Sequence, residues 1–143
     1  MVAERGLYSG TPLVKKLGID EGDAVGLGHP PDGFVETLGA LPSSVRLVDA
    51  RTPMWDVSVL FCVTHEDLTD ALVSAIEKLP AAGAVWIAWP KKSSGVATEL
   101  TFDDVQQAGL EYGLVDNKIC AIDETWSGLR FVVRQQDRSA WPR

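Results

Sequence analysis

Ala84-Val85-Trp86-Ile87-Ala88-Trp89-Pro90-Lys91-Lys92-Ser93-Ser94-Gly95 is the stretch that decides the fold. Its first six residues are apolar and rich in β-formers, the pattern of a strand buried on both faces. Pro90 stops the run, and two lysines, two serines and a glycine follow at once. A buried strand here delivers a short cationic loop to the surface.

The segments on either side fit such a strand into an alternating chain. Upstream, Thr64 reads as an N-cap, with Glu66 and Asp67 in the first helical turn, where carboxylates suit the dipole. Leu68, Ala71, Leu72, Ala75, Ile76 and Leu79 then form an i, i+3, i+4 stripe that Pro80 closes. Before that helix, 57–63 is a nearly continuous apolar run and reads as another strand buried on both sides. Strands are also expected over 24–28 and 45–49. Near the start, Thr11 reads as the cap of a short helix over 12–17, with Lys15 and Lys16 in its last turn and Gly18 as its stop. Asp32 reads as the cap of a modest helix over 33–38. Downstream, Thr101 caps a helix over 102–112. Strands over 114–122 and 129–134 flank a loop at 123–128 and form a hairpin. Residues 1–134 thus make a single domain, and 135–143 are a polar tail that Trp141 is placed to dock.

Strands alternating with helices give an α/β protein with a mainly parallel sheet of about six strands and a C-terminal antiparallel hairpin. One junction has two solutions. Seven residues separate Asp49 from Val57, whereas a helical parallel crossover needs a dozen or more. Either an extended segment returns along the sheet, or strand 45–49 runs antiparallel.

Composition narrows the function. The chain has 143 residues, 45% of them hydrophobic and 23% charged, as expected of one soluble globular domain. A net charge of −7 repels nucleic acid and anionic membranes. No apolar run approaches the roughly 20 residues that span a bilayer. The opening MVAERGLYSG has no apolar segment behind a basic one, so a cytoplasmic location is expected. Cys62 and Cys120 sit in apolar runs without metal-ligand or disulfide spacing, and His29 and His65 stand unaccompanied, so no metal site is expected. There is no GxSxG, no HExxH and no GxxxxGK[ST].

Several stretches resemble the class I adenosylmethionine-dependent methyltransferases. They are Gly18-Ile19-Asp20-Glu21-Gly22-Asp23-Ala24-Val25, the run DVSVLF from Asp56, the run LPAAGAVWI from Leu79, and Gly113-Leu114 entering the hairpin. The resemblance implies a three-layer, Rossmann-like fold, and the short junction between Asp49 and Val57 implies that one strand and one helix of it are deleted. The chain also resembles a family of short uncharacterised bacterial proteins. That likeness rests on Tyr8-Ser9-Gly10-Thr11-Pro12-Leu13 with Lys15-Lys16-Leu17-Gly18, on Trp89-Pro90-Lys91-Lys92-Ser93-Ser94-Gly95, and on Trp126-Ser127-Gly128-Leu129-Arg130. It implies a fold and transfers no catalytic residues.

In open α/β sheets, ligands bind outside the carboxyl ends of the strands. The expected crevice therefore gathers Gly28 and His29, Asp49, Trp89 with Lys91, Lys92, Ser93 and Ser94, and Trp126. The lysines and serines suit an anion, and the tryptophans offer stacking surface. Asp49, about 20 residues beyond the glycine turn, stands where an acid binds ribose hydroxyls. The plainer reading, and the preferred one, is an exposed strand-end carboxylate. Tyr8, Thr11 and Lys15 form a further polar group near the first helix. Against the methyltransferase pattern stands the turn Gly28-His29-Pro30-Pro31-Asp32-Gly33: a GxGxG turn is replaced by one with two prolines and two fewer amides. The reading that follows is a methyltransferase-like binding or interaction domain without catalysis and without a bound cofactor. The alternatives are a reduced methyltransferase that still uses adenosylmethionine, and a domain binding a small anionic metabolite at Lys91–Gly95. A homodimer is expected if the deletion leaves a sheet edge bare.

Overall fold

The computed structural model describes residues 11–141. Six strands form one sheet: β1 (Ala24–Gly28), β2 (Arg46–Asp49), β3 (Val57–Phe61), β4 (Ala84–Pro90), β5 (Leu114–Ala121) and β6 (Trp126–Val133). Their order is β2-β1-β3-β4-β6-β5. The first four are mutually parallel, and β6 runs antiparallel to both β4 and β5. The α/β architecture and its closing hairpin are as the sequence implies.

Helices cover both faces. The short α1 (Leu13–Lys16) and α2 (Phe34–Leu38) lie on one side, where Leu17, Ile19, Phe34 and Leu38 pack against Val25, Val57, Val59, Phe61, Trp86 and Ala88. On the other side are α3 (His65–Lys78) and α4 (Phe102–Glu111), and Leu68, Leu72, Ala75 and Leu79 join Leu60, Val85, Ile87, Trp89 and Phe131. Both longer helices start at capping boxes, Thr64 with Asp67 and Thr101 with Asp104, which satisfy otherwise orphaned amides. Gly109 lets α4 settle onto the sheet, because a Cβ there would overlap the Phe131 ring. All seven residues of β4 are buried.

The β2–β3 junction takes the first of its two solutions. β2 pairs parallel with β1, Leu27 opposite Asp49, so residues 50–56 return across β1 without a helix. Trp55 fills the space a helix would occupy. It is 1% exposed, and its indole N–H donates to the Ala50 carbonyl at 3.1 Å. Gly26 makes this fit: a Cβ there would lie 2.9 Å from the Trp55 ring and 3.1 Å from Ala50 Cα.

Local readings are corrected at several ends. Pro12, not Thr11, is the N-cap of α1. Gly33, at φ 85°, is the N-cap of α2 in place of Asp32. β3 ends at Phe61, and β6 begins at Trp126, so Trp126 belongs to a strand rather than to the hairpin loop. The tail docks through Trp141: Gln135–Ala140 form 3-10 turns with no buried residue, and the Trp141 indole donates to the Leu79 carbonyl at 2.7 Å. No helix among the described residues is long and apolar enough to cross a membrane.

Candidate functional site

A cavity of about 490 Å³ opens at the carboxyl ends of β1, β2 and β3, on the α3 side of the sheet. Such a volume suits a small organic ligand. Ala50, Trp55 and Leu60 give it an apolar floor, and His29, Asp49 and Arg51 line its rim. The α3 wall consists of Asp67, Asp70, Ala71, Ser74 and Ala75. These recur at i, i+3, i+4, i+7 and i+8, one face of a helix, and the small residues among them leave the room.

The turn after β1 has an unusual backbone. His29 adopts φ 52°, a left-handed conformation that costs a non-glycine residue about 1–2 kcal/mol. Pro30 and Pro31 follow it and supply no amide N–H. A Cβ at Gly28 would meet Leu60, whose Cδ2 lies 2.7 Å from that position.

Asp49 ends β2 and, among the described residues, is hydrogen-bonded by Arg51. Its Oδ1 accepts the Arg51 amide at 2.8 Å and Nε at 3.0 Å, and its Oδ2 accepts Nη2 at 2.7 Å. These side-chain and backbone hydrogen bonds, chiefly the former, bring the Asp49 carboxyl down to about 2, with a small contribution from nearby His29. Asp67 is lowered mainly by the Val63 amide, then by Thr64, and His29 again contributes least. His29 lines the same cavity as both acids.

Gly28, His29 and Asp49 come together at this cavity, while the other expected residues lie elsewhere. Trp89 is buried on the α3/α4 face, its ring 6.4 Å from that of Phe102. Trp126 lies on the opposite face, edge-on to Phe61 at 5.0 Å, so the two tryptophans do not flank one crevice. Lys91 is tied to the hairpin: its ammonium donates to the Asp123 carbonyl at 2.7 Å and its amide to Thr125 at 2.8 Å. The Ser94 hydroxyl donates to the Lys91 carbonyl at 2.6 Å, while Lys92 and Ser93 are exposed. β3 separates this loop from the β1 turn. Lys15 is exposed on α1, Thr11 just precedes that helix, and Tyr8 lies outside the described residues.

Sequence reasoning placed the loop Asp49–Arg51 at the crevice and missed Trp55, Asp70 and Ser74. The signal available was the second stripe on α3, small and acidic, beside its apolar one. The cysteines have no site character. Burial, and Asp67 to a lesser degree, push Cys62 up to about 12, and burial also raises Cys120 against three nearby lysines. No group of three or more potential metal ligands occurs among the described residues.

Solved structures give the fold a context. A TehB-like SAM-dependent methyltransferase from Corynebacterium glutamicum is similar at TM-score 0.53 and 13% identity, over 85% of each chain. A ribosomal protein L11 methylase from Lactobacillus delbrueckii subsp. bulgaricus gives TM-score 0.57 and 12% identity, over 86% of this chain and 75% of that one. An O-methyltransferase of neocarzinostatin biosynthesis, solved with S-adenosylmethionine and a naphthoic acid, gives 0.56 and 14% over 78% of this chain and 49% of its own. At these identities the likeness is one of fold: a methyltransferase-like α/β domain. No curated protein matches the sequence. The family model described as a protein of unknown function, DUF3052, matches residues 43–135, and the chain belongs to that family.

Proposed function

We propose that this protein is a methyltransferase-like binding domain that takes a nucleoside-type ligand in the His29–Asp49 cavity and transfers no methyl group. The observation that carries this reading is the pairing of a strand-end acid with an amide-poor turn. Asp49 stands beside the β1 turn above an apolar floor sized for a base and a sugar. The turn itself offers His29, Pro30 and Pro31, and two of these three have no N–H to hold a carboxylate. A methionine moiety therefore adds little affinity to the nucleoside.

The alternative, a reduced methyltransferase using adenosylmethionine, draws support from the parallel course of β2. That course keeps Asp49 at the carboxyl edge of the sheet, where open α/β sheets bind their ligands. An anion site on Lys91–Gly95 has less behind it, since the Lys91 ammonium and the Ser94 hydroxyl already have partners.

Calorimetric titration with adenosine, S-adenosylhomocysteine and S-adenosylmethionine separates these readings. The expected result is similar affinity for all three and loss of binding in Asp49→Ala. An affinity for S-adenosylmethionine tenfold or more above that for adenosine would favour the methyltransferase alternative. Thermal unfolding gives an independent readout, since a ligand at 100 times its Kd stabilises by about 2.7 kcal/mol.

A further inference from the structure

Asp49 has a partner that competes with any sugar. A carboxylate offers about four acceptor positions, and Arg51 fills three of those on Asp49: amide and Nε on Oδ1, Nη2 on Oδ2. A vicinal diol needs an acceptor on each oxygen, so the diol and the guanidinium cannot both be fully bonded. The amide bond to Oδ1 is compatible with a diol, whereas the fork of Nε and Nη2 is not.

Arg51 is also placed by the backbone rather than by chance. Its neighbour Ala50 is pinned on both sides, its amide donating to Leu27 at 3.0 Å and its carbonyl accepting the Trp55 indole at 3.1 Å. This anchors the start of the Arg51 side chain at the cavity mouth. The side chain itself is 87% exposed, so it can swing into solvent without opening the core.

We propose that Arg51 is an intramolecular latch on Asp49, which a ribosyl ligand must displace to bind. The inference rests on the nucleoside reading of the cavity. It assigns Arg51 a specificity role: the latch weakens binding of ligands that use the diol and leaves ligands that do not use it unaffected. Exposed ion pairs are weak, so the latch is easily opened, and its removal should tighten ribosyl binding by roughly two- to fivefold.

The test is calorimetric titration of wild type and Arg51→Ala with adenosine and 2′-deoxyadenosine, after thermal unfolding shows both proteins folded. The expected result is tighter adenosine binding in Arg51→Ala, with 2′-deoxyadenosine unchanged. Arg51→Lys, which keeps the charge without the fork, should fall between the two proteins. Adenosine binding that is unchanged or weaker in Arg51→Ala, beside measurable binding by wild type, overturns the latch and leaves the nucleoside reading standing. Equal tightening for both nucleosides overturns the latch as well. Absence of adenosine binding in both proteins overturns the nucleoside reading and the latch with it.

Discussion

Asp67 shows how much one carboxylate holds in place. It closes the α3 capping box, accepts the amides of Val63 at 2.9 Å and Thr64 at 3.1 Å, and lines the cavity. Its folded pKa lies below the ordinary 3.8, the Val63 amide being the largest cause. A lowered carboxyl stabilises the fold above its unfolded value, and that contribution is lost as pH falls through the folded value. Asp67→Asn, which keeps the shape and removes the charge, should therefore cost about 1 kcal/mol at neutral pH. The difference from wild type should shrink below pH 3.8 as the native carboxyl protonates. Urea unfolding across pH 2–7 measures this; a gap that is independent of pH would show that the charge plays no part. From sequence, Asp67 was legible as a first-turn acid and not as a cavity wall. Capping is local chemistry, whereas the cavity exists only once α3 lies against β1 and β2.

The same divide runs through the elements. α3 and α4 were readable because each carries its own cap, α3 with an apolar stripe beside it, and β4 because its burial shows as an unbroken apolar run. The direction of β2 was not readable. It depends on Trp55 meeting the gap at Gly26, a contact between residues 29 positions apart that no local pattern encodes. Nor could the sequence separate the lysine loop from the β1 turn, because strand order, not spacing, puts β3 between them. The Trp55 segment makes a prediction of its own. Trp55→Ala should lower stability by about 3–5 kcal/mol, the cost of an emptied aromatic site. Trp55→Phe, which fills most of the space and loses the bond to Ala50, should lower it less. Denaturant midpoints report both, and a midpoint unchanged in Trp55→Ala would show that the crossover holds itself over β1 without this side chain.

For the whole molecule, the two outer strands of the sheet bear on self-association. β2 has only four residues, and Arg46 and Asp49 are exposed at its ends. β5 is irregular between Asp116 and Lys118, and Lys118 reaches across to the Lys16 carbonyl at 2.8 Å. Shortness, charge and bulges all discourage edge-to-edge pairing. We therefore predict a single monomeric mass by light scattering at high concentration, where a bare edge would have led to a homodimer. A dimer mass would show that these devices do not protect the edges.

The position of β4 has a further consequence for the chain as it leaves the ribosome. β1, β2, β3 and β4 can assemble in order, each beside a strand already made. The second neighbour of β4 is β6, which begins only at Trp126 and must slot between β4 and β5. Until residues 91–133 have emerged, the most apolar strand of the protein is a growing chain's open border, tryptophans included. A nascent protein stalled in that interval exposes a template for aggregation, so the closing hairpin acts as the release step at which the domain becomes safe to let go.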